Sequence, residues 1–167
     1  MKTSDKILTF SAIFISVLAL VVSIFQTRIM QKQSKAAVWP SLSNGQSYGP
    51  AHYIYTVNND GVGPALIKKV TFNYKGTKFK RTNKLIDYLA ELETKETKQS
   101  MRLNYEYANI HEGRVLRPEQ EVKVFNAQDS IGVYLGFKYL NETEIFIEYC
   151  SIYDECWLMH NDTIKAL

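Results

Sequence analysis

Cys150, Cys156 and His160, close together near the C-terminus, are the residues whose types first invite chemistry. Drawn together they would supply three metal ligands. Structural zinc, however, takes four, usually with two cysteines in a C-x₂₋₄-C spacing, and here the cysteines are further apart with no fourth ligand beside them. A disulfide closed across a turn is the second reading, and it suits an oxidising compartment. Two packed thiols in a reduced cytosolic domain are the alternative, and spacing does not choose between them. His52 and His111 have no metal-binding partner at i+3 or i+4, so neither a metal nor a cofactor is expected.

The remaining candidates lose their chemistry on inspection. Gly61-Val62-Gly63-Pro64-Ala65 resembles a phosphate loop only superficially. Pro64 stands where a helix N-terminus would need free N–H groups, and no G-K-[ST] or complete G-x-G-x-x-G is present. Asn59, Gly61, Gly63 and Pro64 are therefore read as a structural loop between strands. No serine sits in a G-x-S-x-G elbow, and neither cysteine has a histidine partner by motif. Glu91 with Glu93 is read as a solvated pair on a helix surface, and Asp154 with Glu155 as turn charges. No catalytic residue is nominated, and the chain is read as a non-enzyme. With 20 Lys and Arg against 17 Asp and Glu, the net charge of +3 is too small and dispersed for a nucleic-acid footprint.

The elements that would position these residues begin with a membrane segment. After a tail over residues 1–6, residues 7–25 (ILTFSAIFISVLALVVSIF) contain no charge, Pro or Gly. As a helix they span roughly 28 Å, close to the ~30 Å hydrocarbon core of a bilayer, and are longer than the apolar part of a signal peptide. Residues 26–37 continue as a polar helical stalk, ended by Trp39-Pro40, with Trp39 expected to anchor the first strand in the core. Lys2 and Lys6 precede the span, while Arg28, Lys32 and Lys35 follow it. The positive-inside bias thus leans to a cytoplasmic C-terminal domain, and the cysteine pair pulls the other way.

Residues 38–167 form one β-rich domain. Tyr53–Asn58 and Leu66–Tyr74 read as strands, the latter with Val70, Phe72 and Tyr74 on one face; with the loop at 58–64 between them and a turn at Lys75-Gly76-Thr77, they make a hairpin-like start to an antiparallel sheet. Leu85, Ile86, Leu89 and Leu92 repeat at helical spacing, with Asn83 as the N-cap. Met101, Leu103, Tyr105 and Tyr107 alternate as a strand. Val115-Leu116 and Glu121–Phe125 flank Arg117–Gln120 as a second hairpin. Residues 130–140 fit a helix capped by Asp129 or Ser130, and also a strand; the helix is favoured. Glu144–Tyr149 is a strand leading through Asp154-Glu155 into a closing hairpin. The expected fold is a transmembrane helix plus an immunoglobulin-like β-sandwich with one or two short helices.

Ala37-Val38-Trp39-Pro40-Ser41-Leu42, the run Asn59 to Lys68, and Tyr149 to Trp157 resemble the entry strand, N-x-G-x-G-P-A loop and closing aromatic hairpin of a family of small bacterial membrane-anchored proteins of uncharacterised function. The resemblance spans nearly the whole chain and implies an anchor and a domain, not an activity.

Two functions compete. One is a binding or scaffolding module at the bacterial inner membrane, recognising a protein or small ligand. The other is a ligand-sensing membrane effector, with defence as one such role, that becomes a homo-oligomer through its span and perturbs the lipid bilayer; Ser11, Ser16, Ala19 and Ser23 would then pack sister helices along one stripe.

Overall fold

The structure, a computed structural model, describes residues 3–98, 105–161 and 163–167. The chain divides into a helical unit ending at Ala37 and a β-rich unit from Val38 to Leu167. Helix α1 covers Thr3–Ala36 without a Pro or Gly to interrupt it. From Ile7 onward its most apolar window reaches a mean hydropathy of 2.7, the length and composition of a membrane span near the N-terminus, a form that signal sequences share. It ends at Ala36, three residues before Trp39, and a turn at residues 37–38 separates it from the Trp39-Pro40 step.

The β-rich unit holds two antiparallel sheets. One has strand order β1-β2-β7-β5, from Leu42–Gly49, His52–Asn59, Glu121–Ala127 and Tyr105–Glu106. The other has order β10-β9-β8-β3-β4, from Thr163–Ala166, Cys156–His160, Thr143–Cys150, Ala65–Tyr74 and Thr77–Phe79, with β6 (Val115–Leu116) also pairing β3. Their inner faces share one core that includes Tyr53, Val57, Ile67, Phe72, Ile147 and Tyr149. Val70, Phe72 and Tyr74 are buried on one face of β3 as their alternation predicts. A register shift between Ile67 and Lys69 leaves Lys68 and Lys69 both outside, because a bulge lets two successive side chains avoid the core.

Several expectations are corrected. Strands β2 and β3 do not pair: the loop between them crosses from one sheet to the other, and β2 lies instead between β1 and β7. The second hairpin is not formed either. Leu116 pairs with Ala65, whereas Val122 pairs with Val57, so the turn at 117–120 also passes between sheets. Trp39 is 47% exposed, and it is Pro40 and Leu42 that enter the core. Helix α2 (Thr82–Thr97) starts ahead of Asn83: Arg81 occupies the N-cap without a side-chain bond, and its carbonyl accepts from Leu85 N. Residues 130–140 resolve as helix α3 (Ser130–Tyr139), capped by Asp129, whose carboxylate accepts from Gly132 N at 2.6 Å. Met101 and Leu103 lie outside the described residues, leaving β5 at Tyr105 and Glu106. β1 and β10 carry too few apolar residues to announce themselves in the sequence.

Candidate functional site: the outer face of helix α3

Asn59 ends β2 and is fully buried. Its Oδ1 accepts from Ser41 N and Gly61 N, both at 3.2 Å, while Nδ2 donates to the carbonyls of Gly63, Leu116 and Arg117 at 2.8, 3.0 and 3.2 Å. Gly63 N also donates to Trp39 O at 3.2 Å. A Cβ on Gly61 would collide with Ser41 N, and one on Gly63 with the Val38 carbonyl. The Asn-Asp-Gly-Val-Gly-Pro segment therefore staples the chain's entry to the 117–120 turn. Every polar atom of the Asn59 amide is occupied inside the protein, so none faces a ligand.

Helix α3 lies across the first sheet on two glycines. A Cβ on Gly132 would come within 2.5 Å of Ala127 Cβ, and one on Gly136 within 2.5 Å of the Tyr53 ring. The spacing Gly132-x-x-x-Gly136 is a legible small-residue face, overlooked in the helix-or-strand ambiguity of the segment. With Val133, Leu135 and Tyr139 also turned inward, the helix is pressed onto β2 and β7.

Helix α2 packs beside it and places a carboxylate where charge is rarely found. Glu93 is 1% exposed, which overturns the reading of Glu91 and Glu93 as a solvated pair. It is buried because α3 covers that side of α2, and it is satisfied there. Lys138 Nζ lies 2.6 Å from Glu93 Oε2 and 2.7 Å from Glu96 Oε2; the Tyr139 hydroxyl donates a short hydrogen bond to Glu93 Oε2, and Tyr134 OH lies 3.4 Å from Oε1. The Lys138 ammonium also sits over the rings of Tyr134 and Tyr139, 5.4 and 5.0 Å from their centroids. Desolvation pushes the Glu93 carboxyl up, but Lys138 and the two tyrosine hydroxyls together outweigh it, holding the group below the ordinary glutamate range. Burial, then the Glu93 carboxylate, pushes Tyr139 up to about 12. The cluster is a charged clamp between two helices, in which the carboxylates of Glu93 and Glu96 share the one ammonium of Lys138.

The clamp fixes which side of α3 faces out. Ile131, Tyr134 and Phe137, spaced by three, are exposed, and Tyr48 of β1 (59% exposed) meets Phe137 edge-on at 5.0 Å between centroids. Phe137 in turn meets Tyr53 at 5.5 Å, which ties the outer ring to the core. An α-helix that is apolar on its outer as well as its inner side is ordinarily covered. Tyr48 stands six residues along β1 from Leu42, so about 20 Å of strand separates this face from the chain's entry.

The other residues singled out by sequence are scattered. Cys150 and Cys156 face each other across the β8–β9 hairpin and are joined as a disulfide, and neither is a free thiol. His160 is opposite Phe146, its ring stacked on the phenyl at 4.2 Å and its Nε2 3.4 Å from Glu144 Oε1, so the structure does not bring it to the sulfurs. His111 Nδ1 is 2.8 Å from the Glu112 carbonyl, and His52 Nε2 is 3.4 Å from Ser47 Oγ. Among the described residues no group of three His, Cys, Asp or Glu is placed to hold a metal. In α1 the Ser16 hydroxyl donates to the Ala12 carbonyl at 2.8 Å, and Ala19 and Ser23 are exposed on the helix.

No family model, characterised protein or solved structure matches this chain.

Proposed function

We propose that this protein is a membrane-anchored binding and scaffolding module, held at a bacterial inner membrane by α1, whose recognition surface is the outer face of α3 with Tyr48. The observation that carries it is the exposure of Ile131, Tyr134 and Phe137 on a helix whose other side is already packed. The outer side of a helix is a ridge rather than the concave pocket that holds a small ligand, so the occupant is a protein. Tyr and Phe rimmed by Lys138 and Glu96 make the composition expected of an interface centre and its polar edge. Two antiparallel sheets linked by crossings between them support an immunoglobulin-like sandwich, a fold that serves recognition without chemistry.

The Cys150–Cys156 disulfide supports a domain on the oxidising side of the membrane, with the N-terminal tail inside, against the lean drawn from the stalk cations. The oligomerising effector gains no comparable support, since the Ser16 donor is met within its own helix.

Photo-crosslinking in intact membranes tests the proposal. A crosslinker at position 134 or 137 should give a discrete protein adduct that is lost with Tyr48→Ser, and one at Lys78, exposed on β4, should give none. The same adducts from all three positions, or none from any, would remove the α3 face from consideration.

A further inference from the structure

We infer that the open edge of β1 and the exposed inner side of β10 form a slot for one strand, and that the protein partner fills it with an extended segment carrying apolar side chains at every second residue. The inference rests on the reading of Tyr48 and α3 as a recognition face and adds the form of what is recognised.

The edge follows from the ladder. Asp60 N donates to Ser41 O at 2.8 Å, continuing the β1–β2 register, so the odd-numbered residues of β1 turn their N–H and C=O groups to β2. Those of the even-numbered residues point away, and Leu42 N accordingly donates to the Tyr149 hydroxyl at 3.4 Å. β1 ends its sheet, so the N–H and C=O of Asn44, Gln46 and Tyr48 have no strand beside them among the described residues. The strands at the other sheet ends are blunted: β5 has two residues, β4 three including Lys78, and β10 four including Lys165. β1 has eight residues in unbroken register with β2 and carries neither charge nor proline.

The floor follows from the register of the second sheet. Ile147, Met159 and Ile164 stand side by side on β8, β9 and β10, and so do Tyr149, Trp157 and Ala166. Ile147 and Met159 are fully buried, yet Ile164 is 37% exposed; Tyr149 is fully buried, Trp157 half-buried and Ala166 exposed. The first sheet therefore stops short of β10. The Leu42–Tyr149 bond sets β1 over β8, while Phe125 of β7 shares a small apolar cavity with Phe72 of β3. β9 and β10 thus lie beyond β1 on its open side, and a strand added there, about 4.8 Å away, would lie above them.

The slot also fixes the occupant. Asn44, Gln46 and Tyr48 pair with Val57, Tyr55 and Tyr53, which are buried, so that side of β1 faces the second sheet. Residues of an antiparallel segment opposite these three would bond to the edge and, by the same pairing, point their side chains at Ile164 and Ala166. Apolar side chains suit that floor, and β1 offers no charge to be matched. A second copy pairing β1 with β1 does not fit, because its own β9 and β10 would enter the space beneath β1 that these strands already hold. A lone extended segment of another protein brings no second layer. Its main-chain bonds supply affinity and its alternate side chains specificity. Tyr48, at the end of the slot, joins it to Phe137 of α3.

The test uses the full chain in mild detergent and a peptide probe in which three Val alternate with Thr between terminal Lys residues. Hydrogen exchange of residues 42–49 should slow when the peptide is added. N-methylation of the three Val removes the donors that face β1 and should remove most of this protection, whereas N-methylation of the Thr should not. Gln46→Pro deletes an outward N–H and leaves the β2 ladder intact; it should weaken binding about fivefold or more, the worth of one backbone hydrogen bond. Ile164→Asp, at an exposed position, should weaken it about tenfold. No protection by the peptide, protection undiminished by N-methylation of Val, or binding unaffected by Gln46→Pro and Ile164→Asp overturns the inference. So does a β1 already protected without peptide in a protein that runs as a dimer, which gives the edge to a second copy. Crosslinking from positions 134 and 137 separates the two levels: an adduct there with β1 unprotected by the peptide keeps the α3 face and removes the slot, while protection of β1 without an adduct removes the α3 face alone.

Discussion

Gly136 lies directly beneath the ring of Tyr53: a β-carbon on the glycine would come within 2.5 Å of the ring's Cγ and 2.6 Å of Cδ1. Tyr53 is itself fully buried, its hydroxyl donating to Asn141 Oδ1 at 3.0 Å, so the ring cannot step aside. The distance between α3 and its sheet, and hence the posture of the exposed Phe137 next to it, depends on the absence of one methyl group. Gly136→Ala should destabilise the β-rich unit by roughly 1–3 kcal/mol through overpacking. Thermal unfolding of the full chain in detergent measures this; an unchanged or raised melting temperature would mean that the helix can move away.

Glu93 makes the fold sensitive to acid. Its carboxyl is held below the ordinary value of 4.5, so between the folded and unfolded values the unfolded chain binds more protons. The stabilisation is complete above the unfolded value and is lost as pH falls through the folded one. Glu93→Gln should cost about 1–3 kcal/mol at neutral pH, the scale of hydrogen bonds to a charged group. The gap between variant and wild type should then narrow progressively below about pH 4.5. A gap of constant size down to pH 3 would assign the loss to packing rather than to charge.

Asn59 holds three segments with one amide. Asn59→Leu keeps the volume but strands two amide N–H groups and three carbonyls, each worth ~1–3 kcal/mol when buried without a partner. The expected outcome is loss of at least about 3 kcal/mol, with early amide hydrogen exchange in residues 38–42 and 115–120. Slow exchange there in the variant would show that the backbone bonds of Asp60, Gly63 and Glu119 suffice without the side chain.

The disulfide closes a loop of six residues, for which chain entropy gives about 2 kcal/mol. Protein taken directly from membranes should resist alkylation at both Cys150 and Cys156 until it is reduced, and Cys150→Ser/Cys156→Ser should melt lower by that amount. Alkylation without reductant would place the domain in a reducing compartment.

Ile131, Tyr134 and Phe137 on one side of α3 and Gly132 and Gly136 on the other predict opposite consequences. Phe137→Ser should cost about 0.5–1.5 kcal/mol through its edge-on contact with the Tyr53 ring, less than Gly136→Ala, while removing the crosslinked adduct. A fall in melting temperature comparable with that of Gly136→Ala would make Phe137 a packing residue instead.

The sequence alone determined the local properties of this protein. The apolar run at 7–25, the alternation of Val70, Phe72 and Tyr74 and the helical spacing of Leu85, Ile86 and Leu89 could be read because a period shows which side of an element is apolar, whatever it packs against. The Asp129 cap could be read for the same reason, since its partner is three residues away. Partnership between distant segments could not. Any strand's N–H and C=O groups will pair with any other's, so nothing local in Val115-Leu116 distinguishes β3 from the nearer Glu121–Phe125 as its neighbour; the crossing held by Asn59 decides it. Only the tertiary structure buried Glu93 and exposed Trp39, because burial of a charge requires a cation and two hydroxyls brought from another helix, and exposure of an indole requires that the core be filled by others. Which face of α3 stays exposed was likewise settled by two glycines whose significance lies in the Tyr53 and Ala127 side chains they meet.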